Sequence, residues 1–255
     1  MIRPTASALE HPLAQGVLAL ASGCAFLTQS RVLLCADAHF GYEDVMGGGA
    51  ALPLWSTAEV ATTIAVAAQR MGAREIVFLG DAIHGSNMSE GAMRVVAAAL
   101  DGLRAHATLT FVAGNHEGRS RGAAILGATV EACERDGWTL VHGDKAARVG
   151  ARGIIGHLHP SLHMGGGTSA PAFLGSSRVI VVPALTPYST GLDVLSDDCI
   201  AALESWDVQR RDLHVVAATN DRVYPFGTLS TLRGALRKPQ PRGAKPFFRR
   251  RLRPD

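Results

Sequence analysis

Val32-Leu33-Leu34-Cys35-Ala36-Asp37-Ala38-His39 sets a carboxylate and an imidazole directly behind an apolar, β-type run. The arrangement returns three times. Glu75-Ile-Val-Phe-Leu79 leads into Gly80-Asp81, Leu109-Thr-Phe-Val-Ala113 into Gly114-Asn115-His116-Glu117, and Gly153-Ile-Ile155 into Gly156-His157-Leu158-His159-Pro160. His142-Gly143, behind Trp138-Thr-Leu-Val141, is a fifth instance. Open α/β sheets hold their ligands at the carboxyl ends of strands. These segments can therefore deliver side chains to one edge of one sheet.

Working outward from those strings, the order of elements alternates. A hairpin is expected over Val17–Ala21 and Ala25–Gln29, turning at Ser22-Gly23. After the first string and the glycines Gly47-Gly48-Gly49, the pattern predicts a helix from Ser56 to Met71. Ser56 is its expected N-cap, Glu59 the capping-box partner and Gly72 the C-cap. A second helix is expected from Ser89 to Ala105, capped by Ser89. Together with the strands around them these make a βαβαβ unit, which requires parallel pairing and right-handed crossovers. Beyond Ala124 strands become frequent and helices vanish, and the expected sheet is mostly antiparallel. Leu229 to Leu236 is the one stretch there that could close a short helix. The two halves predict an α/β fold of two sheets packed face to face with helices outside.

The composition suits one sizeable domain. Hydrophobic residues make up 47% of the 255 positions and charged residues 18%, a globular balance. No apolar stretch reaches the roughly 18 residues that a membrane span needs. The apolar run Gly16–Leu27 lacks a basic flank and reads as the hairpin rather than as a leader. Cys24, Cys35, Cys133 and Cys199 show no paired spacing, so they are expected as buried free thiols of a cytoplasmic protein. The charge is uneven. From Arg233 onward nine basic residues face one acid, Asp255, for a net +8 where the whole chain is +3, so the body is −5. An acidic body fits a carboxylate-lined metal site, and a basic end fits either a polyanion partner or a solvated tail. The expected boundaries are one domain over 1–236 and a basic tail over 237–255.

Asp, Asn and His are ligands for hard and borderline divalent cations. Asp37, Asp81, Asn115, His39, His142, His157 and His159 supply enough donors for two metals about 3.5–4 Å apart, a spacing that clamps a phosphoryl group. Asp81 carries two oxygens and can serve both ions. His116, adjacent to Asn115 and not needed as a ligand, is the natural general acid for the leaving oxygen. His84 is either a support for this centre or a solvated loop residue. Tyr188 either stacks on a ligand or packs within its loop.

In this order the strings closely resemble the calcineurin-like metallophosphoesterase superfamily, with Asp-x-His, Gly-Asp, Gly-Asn-His-Glu, a later His and Gly-His-x-His all present between Leu33 and Pro160. The resemblance implies a four-layer α/β/β/α sandwich of two mixed sheets and a dinuclear centre. It places Asp37, His39 and His159 on one metal and Asn115, His142 and His157 on the other. Asp81 would bridge, and His116 would assist the leaving group. Manganese is the expected ion, with iron and zinc as alternatives. Ala36-Asp-Ala-His-Phe-Gly41, Gly80-Asp-Ala-Ile-His84, Val182-Pro-Ala-Leu-Thr-Pro-Tyr-Ser-Thr-Gly191 and Arg222-Val-Tyr-Pro-Phe-Gly227 further resemble the bacterial ligase-associated DNA-damage-response phosphoesterases. That group implies a nuclease or phosphodiesterase, a nucleic-acid substrate, and a partnership with a DNA ligase and helicase. The same chemistry admits a small nucleotide or a phosphoprotein as substrate.

Overall fold

The computed structural model describes residues 9–47, 53–85, 88–116, 123–145, 151–165, 167–204, 206 and 212–236. Seven strands form the first sheet in the order of the chain: β1 (Glu10–Ala14), β2 (Val17–Leu20), β3 (Ala25–Leu27), β4 (Val32–Cys35), β5 (Glu75–Phe78), β6 (Thr108–Val112) and β7 (Thr129–Val130). β1 to β4 pair antiparallel, and β4 to β7 pair parallel. The helices α1 (Tyr42–Met46) and α2 (Trp55–Met71) lie between β4 and β5, α3 (Glu90–Arg104) between β5 and β6, and the single turn α4 (Ala123–Leu126) between β6 and β7.

The remaining strands are β8 (Cys133–Arg135), β9 (Trp138–Val141), β10 (Gly153–Ile155), β11 (Pro160–Gly165), β12 (Thr168–Gly175), β13 (Val179–Val181), β14 (Leu192–Asp193), β15 (His214–Thr219) and β16 (Arg222–Thr228), with helices α5 (Asp197–Glu204) and α6 (Leu229–Leu236). Their sheet runs β14-β11-β12-β13-β10-β9-β8, with β15 also paired to β12 and β16 to β15. Five of its eight pairings are antiparallel, as expected, and three are parallel. β10 is parallel to both β9 and β13, and β11 is parallel to β14. Parallel neighbours orient the carboxyl ends of β9 and β10 together, which is how His142 and His157 arrive at one edge.

Alternation along the strands builds three apolar layers. Leu33, Cys35, Ile76, Phe78 and Phe111 face α2 and α3. Leu34, Val77, Leu79 and Val112 face the second sheet, where they meet Trp138, Leu140, Ile154, Phe173, Ile180 and Val216. Val141, Ile155, Leu174, Val181 and Val215 face α5 and α6. The result is a four-layer α/β/β/α sandwich. Strands buried on both faces explain the unbroken apolar runs of the sequence. Cys24 and Cys35, unpaired by spacing, meet across β3 and β4 with their sulfurs 3.7 Å apart; both are buried, as is Cys199, while Cys133 is half-buried.

Helix starts divide into one success and one correction. Ser89 caps α3 as expected, its Oγ accepting from Ala92 N at 3.2 Å. Ser56 does not cap α2. That helix starts a residue earlier, at Trp55, behind Leu54 with no side-chain cap, and the Ser56 N–H donates to Glu43 Oε1 at 2.8 Å. Gly72 ends it in the left-handed conformation, as expected. The helix α5 is a second correction to a half expected to be almost free of helix. Ser196 caps it, its Oγ accepting from Cys199 N at 3.1 Å. The basic tail over 237–255, with Glu117 and Gly48-Gly49, lies outside the described residues.

Candidate metal centre

The backbone of the site edge is unusual before any side chain is considered. Seven non-glycine residues among those described have φ in the left-handed region, and five of them are Asp37, His39, Asp81, His157 and His159. Such residues are uncommon and mark turns held by their surroundings. Here the hold is explicit. His39 N–H donates to Asp81 O (3.0 Å) and Phe40 N–H to Ala82 O (2.9 Å), which laces the turn after β4 to the turn after β5. Thr186 N–H donates to Asp37 O at 3.2 Å from a loop of the second sheet. Two glycines permit close approach. A Cβ on Gly80 would overlap the His142 ring, and one on Gly114 would overlap the Asp81 carboxylate and its N–H.

Two clusters result. In each, one ligand atom per residue lies within 4.8 Å of the others: Asp37, His39 and His159 form the first, Asp81, His142 and His157 the second. In the second, the Nδ1–H of His142 donates to Leu79 O at 2.9 Å, which turns Nε2 toward the cluster. Nε2 faces Asn115 Oδ1 at 2.8 Å, His157 Nδ1 at 3.1 Å and Asp81 Oδ2 at 3.4 Å. Two imidazole nitrogens, an amide oxygen and a carboxylate oxygen so gathered are a donor set that fits a cation. Asp81 also accepts the His116 N–H on its other oxygen, Oδ1, at 2.9 Å.

The first cluster carries the same signature. Asp37 is fully buried, its Oδ2 accepts the His157 N–H at 2.9 Å, and its Oδ1 lies 3.1 Å from His159 Nε2. Burial, reinforced by the neighbouring His159, His84 and His116 rings and opposed by Asp37, pushes the His39 imidazole down to about 3. His39 is thus the neutral form that a metal requires. Burial and then His142 also lower His157. His159 goes the other way. Burial lowers it, but the hydrogen-bonding and charge of Asp37, with the charge of Asp81, prevail and raise it. A proton there stands where a cation would stand. The donor chemistry of both clusters fits two divalent ions.

The structure brings Asp37, His39, Asp81, Asn115, His142, His157 and His159 to one edge, with Asn115 exposed and bonded to the second cluster. His116 is exposed beside it, its ring centroid 5.4 Å from His39. Ser189, unassigned by the sequence, and His84 complete the setting. His159 Nδ1 lies 2.8 Å from Ser189 Oγ, and His84 Nδ1 lies 3.1 Å from His39 Nδ1. His84, previously open between two readings, therefore supports the centre. Its ring also stacks near His116 at 5.5 Å and contacts Tyr42 at 4.5 Å. Hydrogen-bonding partners of this kind fix the ring orientation of metal-binding histidines. His163 sits outside both clusters, contacting Thr190 O at 3.3 Å.

Two mixed sheets sandwiched by helices, with ligand types on the strand ends, define a metallophosphoesterase-like fold. The crystal structure of Pseudomonas putida nuclease MPE is similar over 87% of this chain and 100% of its own, with a TM-score of 0.62 at 18% identity. A metallophosphoesterase from Sphaerobacter thermophilus aligns over 76% of this chain and 86% of its own, with a TM-score of 0.36 at 14% identity. No family model and no curated protein sequence matches the chain.

Proposed function

We propose that this protein is a dinuclear metal-dependent phosphoesterase that hydrolyses phosphodiester bonds in nucleic acid, as a nuclease or phosphodiesterase serving DNA repair. The observation that carries it is the pair of donor clusters on one sheet edge, with Asp37 Oδ1 3.1 Å from His159 Nε2 in one and His142 Nε2 2.8 Å from Asn115 Oδ1 in the other. In this reading Asp37, His39 and His159 hold one ion, Asn115, His142 and His157 hold the other, and Asp81 serves both. A bound pair supplies positive charge to a phosphoryl group and acidifies water at neutral pH. The chain's own residues do the rest. Neutral His39 and His157 keep their lone pairs free, Leu79 O and Ser189 orient His142 and His159, and His116 donates a proton to the departing oxygen.

Manganese is the proposed ion, because a mixed carboxylate, amide and imidazole set is harder than a thiolate site. A nucleic-acid substrate is supported by the motif resemblance, by the likeness in fold to a nuclease, and by the basic residues after Leu232. Those charges would neutralise phosphates without reading sequence, so deletion after Arg237 flattens the salt dependence of DNA affinity. A DNA ligase and helicase repair system is the proposed partner, and the cytoplasm, where buried free thiols persist, the proposed compartment. No helix among the described residues is long and apolar enough to cross a membrane. The test is a panel with Mn²⁺: bis-p-nitrophenyl phosphate, p-nitrophenyl phosphate, and single-stranded and duplex DNA. Hydrolysis of the diester and cleavage of DNA are expected. Activity confined to the monoester contradicts the proposal.

A further inference from the structure

Tyr188 is placed the wrong way round for a packed loop tyrosine. Buried tyrosines commonly hide the ring and keep the hydroxyl wet. Here the hydroxyl is tied inward, donating at 3.2 Å to Oε1 of the buried Glu43, while the residue remains 46% exposed. The same Glu43 oxygen accepts the Ser56 N–H at the start of α2, so the ring is fixed to a helix end. On one face Tyr188 stacks on Tyr42, with centroids 4.5 Å apart and planes inclined by only 13°. Tyr42 is the only ring stacked on it among the described residues, and the side chain stands among the exposed large hydrophobic ones.

This exposed ring is connected to the candidate metal centre. From Tyr188 the contacts run to Tyr42 (4.5 Å), from Tyr42 to His84 (4.5 Å), and from His84 to His39 (5.0 Å). Three such steps set an upper limit on the separation of the Tyr188 ring from His39. The loop that carries Tyr188 also supplies Ser189 to His159 and the Thr186 N–H to Asp37, so platform and centre share one loop. A rigid ring with a free face stacks on any base whose own face is free. Bases inside a duplex offer none.

Resting on the phosphoesterase reading above, we infer that Tyr188, backed by Tyr42, is a stacking platform for an unpaired nucleobase near the phosphate held at the metal centre. The probes are a labelled oligothymidylate and an abasic deoxyribose-phosphate oligomer of the same length, whose affinities for the full chain are read by fluorescence anisotropy. Tyr188→Ala should weaken the thymidylate by about 5- to 100-fold, the range for removing one base stack, and the abasic oligomer far less. Tyr188→Phe keeps the ring without the Glu43 bond and should retain most of the base-dependent affinity. Tyr188→Trp should retain it as well. Equal losses on both oligomers, or no loss on either, would overturn the platform, as would failure of the wild type to prefer the base-bearing probe. Manganese-dependent hydrolysis of bis-p-nitrophenyl phosphate by the wild type is measured alongside. Its absence overturns the phosphoesterase reading, and its presence with unchanged binding in Tyr188→Ala overturns the platform alone.

Discussion

The two donor clusters have the same residue pattern, two buried ligands and one half-buried, but different supports. Asp81, His142 and His157 follow three strands, β5, β9 and β10, while Asp37 and His39 follow β4 and His159 shares the segment after β10 with His157. His142 is fixed by a main-chain carbonyl, and Asp81 by a main-chain N–H and the glycine beside it. The imidazoles of the first cluster, His39 and His159, lean on side chains, His84 and Ser189, in exposed or half-exposed loops. Main-chain anchors cannot be mutated away, while side-chain anchors can. The first cluster should therefore be the more easily weakened of the two, and the second the more rigid.

The largest effect should follow from removing what the clusters share. Asp81→Asn should weaken both ions together and reduce turnover beyond the ~10–100-fold typical of residues that only support a ligand. Metal titration would reveal it, and loss of one ion with the other untouched would show that Asp81 serves one cluster only. Next comes His116, whose ring lies beside the first cluster while its N–H holds the second. His116→Ala should leave both ions bound and slow turnover by ~10²–10⁴-fold. The deficit should shrink for p-nitrophenyl leaving groups, which need no proton, and equal deficits with alkyl leaving groups would remove the general-acid role.

Ser189→Ala separates the clusters directly. It should weaken one of two manganese-binding events by ~10–100-fold and spare the other, with Ser189→Thr restoring it. Calorimetric titration of the metal-free protein reads this, and two equally weakened events would mean that Ser189 only holds its loop. The smallest effect lies away from the site. Glu75 bonds Arg135 at 2.7 and 2.8 Å and accepts from Thr110 at 2.6 Å. Arg135 first, with Thr110, overcomes burial and holds its carboxyl below the ordinary range. A carboxylate so lowered contributes stability above its unfolded pKa of about 4.3, and loses it as pH falls through the folded value. Glu75→Gln should thus be less stable than the wild type at pH 7, with the difference closing on acidification. A difference independent of pH in denaturant titrations would refute this.

What could be read in the sequence divides along the same physical line. Ligand strings were legible because strand ends and ligand types are local. Asp37, Asp81 and His157 each follow an apolar run that buries on both faces, and such runs are visible without a structure. Nonlocal choices were not legible. Glu43 rather than Ser56 satisfies the start of α2 from thirteen residues away, a partner no window around Ser56 reveals. The direction of β10 relative to β9 and β13 depends on the crossover paths, not on the composition of three apolar residues. The helix α5, eight residues with two leading acids, is too short for its periodicity to stand out. Ser189 became visible only once the fold set it against His159, and the contact with His39 decided between the two readings of His84.

The central claim is that two cations sit side by side on this edge. The direct measurement is diffraction from manganese-soaked crystals of the full chain, with anomalous data at the metal edge and metal analysis of the same active preparation. Two ions per chain are predicted, one among Asp37, His39 and His159 and one among Asn115, His142 and His157, with Asp81 between them. At most one tightly bound ion in fully active protein would contradict the account.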